Sequence, residues 1–463
     1  MRFDPILADI RFGCGLSPMI APPQDVNAMM GRLRGPDNAA KAFHIDDFPA
    51  FAARMAEAAT ARKYLRKKRG TPEEKAAIKA TKLLKKAARQ AHRHWLWQAM
   101  MRRTHTADGL RERLAFFWAD HFTARGKAGV LRRGTSPYIE TAIRPYLTGS
   151  FAEMLKAVAV QPLMLHYLDQ QLSVGPGSDT ARRRPRKAGL NENLAREILE
   201  LHTLGVDGVY DQTDVREFAE LLTGMAYSAQ GGFNFRHRMS EPGSETVLGV
   251  TYGGAGKARL SDVLAALDDL AHHPDTARHI AGKLAVHFVG DIPDPGLVSH
   301  LAARFTATAG DLGAVTEALL EHPAAWADEN PGNVKQPVDF VGSAMRALAV
   351  APDAINSGHE RIVAATLQTP MALMGQQWQE PGGPDGWSEE DGDWITPQRY
   401  AARLDWAMSA PGILVQGLPD PRVFVETALG NRASEELRFA ARGAEDRRVG
   451  VGLVLASPGF QRM

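Results

Sequence analysis

NENLAREILELHTLGVDG, residues 191–208, sets the reading of the whole chain. At 3.6 residues per turn, Leu190, Leu194, Ile198 and Leu201 form one apolar stripe, and Asn193, Glu197 and Glu200 fall on a neighbouring face. The spacing predicts an amphipathic helix stopped by Gly205 and Gly208. Two carboxylates share one turn. Arg196 stands four residues from both Glu192 and Glu200, so it can hold one carboxylate charged while the proton affinity of another rises. That is an acid/base arrangement in outline. The competing reading is a solvated face laced by ordinary helix ion pairs.

Helical periodicity continues outward in both directions. Helices are expected over residues 109–122, 138–146, 151–168, 261–326 with interruptions, 338–350 and 398–409, with Asp211 and Asp214 capping one that ends near Gly224. Residues 233–252 are the candidate for a small hairpin, and residues 173–189 and 380–397 read as loops. The fold class is therefore mainly α, a multi-helical globular protein with a small β-hairpin excursion. Three regions are expected: 1–108, an N-terminal helical region with a long basic helix; 109–330, a central helical core; and 331–463, a C-terminal helical region with a Trp-rich loop, set off by a break at Pro331 and Pro337.

The chain has 463 residues, 44% of them hydrophobic, which is enough for a large core. One cysteine, Cys14, excludes an internal disulfide framework and any multi-cysteine zinc site, and it reads as structural. No apolar run is long enough to cross a bilayer, and the first residues, MRFDPILADIRFGCG, place charges where a signal peptide needs its apolar segment. A cytoplasmic protein is the default expectation, with periplasmic export beside a partner as the alternative. The net charge is only +2, yet residues 62–103 hold fifteen lysines and arginines against Glu73 and Glu74. Thr71, Pro72 and Glu74 predict a capping box opening a long basic helix, and RRRPRK, residues 182–187, adds a second basic cluster. Such clusters bind nucleic acid, anionic lipid or an acidic partner, or are solvated and balance the acidic remainder of the chain. Aromatics are not interleaved through the run, which makes nucleic acid the poorer expectation. No CxxCH motif is present, and Gly253, Gly254 and Gly256 do not precede a lysine-serine pair, so c-type haem and phosphate-loop chemistry are not expected.

Several segments in order carry a resemblance: FFWADHF (116–122), IRPYLTG (143–149), YLDQQLS (167–173), NENLAREILELHTLGVDGVYDQTDV (191–215), HPDTARHIAGKLAVHFVGD (273–291), VKQPVDFVGSAMRAL (334–348) and PDGWSEEDGDWITP (384–397). Together they make the chain resemble the bacterial domain-of-unknown-function 1800 family across nearly its whole length. The resemblance brings no established activity. It implies a neighbour, since members are often encoded beside another uncharacterised family, number 1501, which looks like the alkaline-phosphatase fold; many members also carry export signals. The family pattern usually has a histidine before the PG of the hairpin and often a lysine after it, where this chain has Ser240 and Glu245. The loop SEEDGD, residues 388–393, is more acidic than usual; a calcium site there competes with a solvated loop, and its spacing fits no EF-hand.

Three functional classes follow. In the first, an enzyme of hydrolase or lyase type, Glu197 and Glu200 supply acid and base with His202 and His121, at the ends of two helices, as catalytic partners. A divalent metal is the candidate cofactor, held by His121, Glu197 and His202, although Glu200 and His202 do not share the four-residue spacing of HExxH sites. Substrate contacts are expected from Asn191, Glu192, Asn193, Arg196, Trp118, Arg144 and Asp169, the last two alternatively pairing with each other. The second class is a noncatalytic partner of the phosphatase-like neighbour. The third binds a polyanion through the basic helix.

Overall fold

The computed structural model of the chain describes residues 3–184, 189–228, 232–327, 332–355 and 360–463. Pro331 and residues 185–187 of the second basic cluster lie outside them. The fold is mainly α with two small antiparallel two-strand sheets. Among the described residues no helix is long and apolar enough to cross a membrane.

The N-terminal region is dominated by a hairpin of two long helices, Phe48–Lys68 and Glu74–His105. Asp47 caps the first by accepting from Ala50 N at 2.8 Å, with Pro49 in its first turn. The capping box expected at Thr71 does not form. Thr71 instead donates its hydroxyl to the Lys68 carbonyl at 2.7 Å, and the Glu74 carboxylate accepts from Gly70 N at 2.9 Å. Those bonds tie the turn itself, so the second helix begins only at Glu74. Its far end is closed from outside, where the buried Arg346 guanidinium donates to the Thr106 and Thr104 carbonyls at 2.7 and 3.3 Å.

The helix Gly109–His121, capped by Asp108, runs through the middle of the molecule and is buried on nearly every side. Being enclosed, its charged residues need partners. Glu112 holds Arg144, and Arg113 and Arg103 both meet Asp339 at 2.6 Å. The Arg113 contact is a close ion pair without hydrogen-bond alignment. The apolar core falls into two clusters. One joins residues up to Trp326, and the other joins Leu96–Met101 of the long helix to residues from Val338 onward.

The expected helix over 151–168 is broken into Phe151–Ala159 and Pro162–Tyr167, because Pro162 has no N–H for the continuing ladder. The hairpin expected over 233–252 resolves into two. Met225–Ser228 pairs with Gly232–Phe235, and Ser244–Val247 pairs with Val250–Gly253. Asp211 and Asp214 do form a capping box, opening the helix Gln212–Leu221.

Candidate functional site

The acidic helix starts as ordinary α-helix, Asn193–Glu197, and then widens into a π-helical turn, Ile198–Thr203. Thr203 Oγ1 reaches the Ile198 carbonyl at 2.6 Å and Leu204 N reaches Leu199 O at 3.0 Å, both five residues back. The wider turn rotates the stripe. Leu194, Ile198 and Leu199 are fully buried and His202 is turned inward, whereas Leu201 is only half-buried.

A helix ending there leaves carbonyls without N–H partners. Two imidazoles supply them. His121 Nε2 lies 3.2 Å from the His202 carbonyl, and His279 Nε2 lies 3.0 Å from the Leu201 carbonyl. A carbonyl only accepts, so Nε2 carries the proton in each ring and the His121 Nδ1 is a bare acceptor with no hydrogen-bond partner. His202 Nδ1 is likewise buried and unpartnered. Burial, with Lys283 nearby, holds His121 far below the usual histidine range and His202 down to about 3, so both rings are neutral. Trp118 stands edge-on to His121 at 5.4 Å between ring centres and is 1% exposed, forming a wall behind the site.

The carboxylates of the helix divide. Glu192 and Glu200 pair with Arg196 at 3.3 and 3.2 Å, and Glu192 also accepts from Gln212, giving a row on the outer face. Asn191 anchors the helix start, donating to the Leu168 carbonyl at 3.0 Å and accepting from Asn193 N at 2.9 Å, and the Asn193 side chain is exposed. Glu197 turns the other way. Burial, then the charges of Glu200 and Asp385, push its carboxyl up to about 7.

Asp385 links it to a second cluster that reading residues 191–208 does not reveal. On the helix Pro274–Phe288, His279, Lys283 and His287 recur every four residues and so share one face. Burial lowers the Lys283 ammonium, while Asp120, Glu389 and Asp385 counteract that loss by favouring its charge. The Asp120 carboxyl is raised, by burial and by Glu389, and accepts from Trp387 N at 3.0 Å on both oxygens. Gly386 makes that approach feasible: its φ is +86°, and a Cβ there would come within 2.5 Å of the Asp120 carboxylate. Glu389 is held below its usual range, despite burial, by His287 at 2.7 Å. The SEEDGD carboxylates therefore do not gather around a common point, since Asp391 is engaged with Arg462 at 2.8 Å. The four-residue repeat of His279, Lys283 and His287 was visible in the sequence; the approach of the loop to Asp120 was not.

Arg144 and Asp169 do not pair with each other. Arg144 lies between Glu112 and Asp37 and lines a cavity that Asp120 also lines, with Phe116, Ala119, Trp378 and Trp387 among its walls. Asp169 meets Lys127 at 2.6 Å on the surface. His121, Glu197 and His202 do not bring three ligand atoms within 4.8 Å of one another; among the described residues Glu217, Glu220 and Glu245 do, elsewhere, on the Gln212–Leu221 helix and the adjoining strand. There Glu245 is pushed up to about 8 by burial and by its hydrogen bond with Glu217. Ser240, at the family's usual histidine position, is buried and donates to the Arg236 carbonyl at 3.2 Å. Cys14 is also buried, which raises its thiol to about 11 and leaves it unreactive.

Fold and site together show a mainly helical protein with a half-buried cluster of ionisable side chains at which four sequence motifs meet: FFWADHF, the acidic helix, the HIAGKLAVHF repeat and the PDGW loop. The chain belongs to the family described as "Protein of unknown function (DUF1800)", which it matches over residues 17–462. No curated protein and no solved structure matches it.

Proposed function

We propose that this centre is the active site of a hydrolase or lyase, with Glu197 as the proton-transferring carboxyl. The observation that carries the reading is a half-buried glutamate poised near 7 close to Asp385, which also acts on Lys283. A general base works best with a proton affinity near the ambient pH, and a retained cation stabilises negative charge developing on the substrate. In hydrolysis, Glu197 takes a proton from water as hydroxide adds to the electrophilic carbon, the developing oxyanion faces Lys283, and Glu197 returns the proton to the leaving group. In elimination the same carboxyl removes a carbon-bound proton, the freed electron pair forms the double bond as the bond to the leaving group on the neighbouring carbon breaks, and Glu197 returns the proton to the departing group. His202, buried with an unpartnered Nδ1, lies on the same helix as Glu197, and His121 positions that helix by capping it. Glu192, Arg196 and Glu200 act as an outer row that supports the helix.

The decisive measurement is a carbon-13 titration of the Glu197 carboxyl, assigned by comparison with Glu197→Gln. A midpoint near 7 is expected, and one in the ordinary glutamate range overturns the reading. Any turnover found in a panel of activated esters, amides and glycosides should be lost in Glu197→Gln and Lys283→Met and kept in Glu200→Gln. Turnover surviving in Glu197→Gln would remove the assignment.

A further inference from the structure

The distal half of the long helical hairpin carries charge that the fold leaves unanswered. Residues 62–89 hold twelve lysines and arginines against Glu73 and Glu74. Among the described residues, Lys68 alone of these cations has a carboxylate within 4.0 Å, Glu73 at 3.2 Å. The acidic remainder of the chain therefore does not balance the hairpin by direct pairing. Between the two helices runs a groove of about 1100 Å³ with a floor of Met55, Leu65, Ile78, Leu84, Val130 and Leu131. Arg62, Lys63, Arg66, Arg69 and Lys85 rim it. On another face Leu83 is 57% exposed within a ring of Lys79, Lys82, Lys86 and Arg89.

We propose that this hairpin tip docks on the surface of an anionic lipid bilayer, with hydrocarbon chains entering the apolar groove and headgroup phosphates meeting the cations around it. An acidic partner helix would fill one groove and leave the cations around Leu83 uncovered, whereas a bilayer surface surrounds the tip. Nucleic acid would meet the cations, but the groove offers it a single ring, Tyr227, in place of the row of aromatics on which successive bases stack. Exposed aliphatic side chains beside lysine and arginine are the pattern of interfacial anchors, and attachment through a hairpin tip needs no spanning helix.

The test is co-sedimentation of the full chain with vesicles of phosphatidylcholine alone or mixed with phosphatidylglycerol, at low and high salt. Salt-sensitive binding to the mixed vesicles alone is expected. The triple substitution Arg62→Gln, Arg66→Gln, Lys85→Gln should lower the partition coefficient about a hundredfold, at roughly a factor of five per cation. Leu83→Ser should weaken binding while keeping its salt dependence. Circular dichroism checks that each variant retains its helix content, and Lys85→Gln alone, expected to lower binding several-fold, replaces the triple variant if it does not. No binding to the mixed vesicles, equal binding to neutral ones, or salt-sensitive binding to duplex DNA without vesicle binding would each overturn the proposal.

Discussion

In the acidic helix the outer carboxylates, Glu192 and Glu200, share Arg196, and Glu197 alone is turned toward a buried centre. Along the hairpin tip the cations outnumber the acids sixfold, and nearly all of them point into solvent without a partner. Both segments look alike as dense charge on a helix. The difference lies in what packs opposite them: the first meets the helix of His279, Lys283 and His287, and the second, among the described residues, meets its sister helix, the turn at residues 128–131 and Tyr227. Dense charge has its proton affinities shifted where other elements bury it, and stays solvated where they do not.

The largest expected effect tests what burial demands. Asp339→Ala leaves Arg103 and Arg113 enclosed without their shared carboxylate and should cost about 3–5 kcal/mol in urea unfolding. A cost under about 1 kcal/mol would mean that water reaches the pair.

Next comes acid stability. His92 and His202, each lowered to about 3 chiefly by burial, and His121 fold as neutral rings. The unfolded chain takes up their protons first, so their contribution is intact above about pH 6.5 and is lost as pH falls toward the folded values. Each should cost on the order of 1 kcal/mol per pH unit, read from urea midpoints between pH 6.5 and 4.5. A flat profile would show the rings open to solvent.

Glu197 has the opposite sign. Its raised carboxyl carries no penalty below its ordinary 4.5, and a growing one as pH rises from there through about 7. Glu197→Gln should therefore raise stability at pH 8 by about 1 kcal/mol, after allowance for partial solvent screening, and change little at pH 4. Destabilisation at pH 8 would place Glu197 with the paired outer row. The smallest effect is expected at the tip, where Arg66→Gln should shift stability by under about 0.5 kcal/mol.

The mainly helical class, the caps at Asp211 and Asp214 and the Arg196 pairs were legible in the sequence, because periodicity, caps and i,i+4 spacing are local quantities. Residue order placed His121 and His202 at helix ends and grouped them in one expected site, but it could not show that His121 caps the other helix. Three outcomes belonged to the tertiary structure alone. The π-helical turn exchanges Leu201 for Leu199 in the core and draws His202 inward. The Gly386 loop crosses more than 260 residues of sequence to reach Asp120. Lys283 joins a charged cluster only when the fold brings Asp120, Asp385 and Glu389 near it. Burial and long-range charge set proton affinity, and both are properties of what packs opposite a residue, which the local pattern of a single chain does not encode.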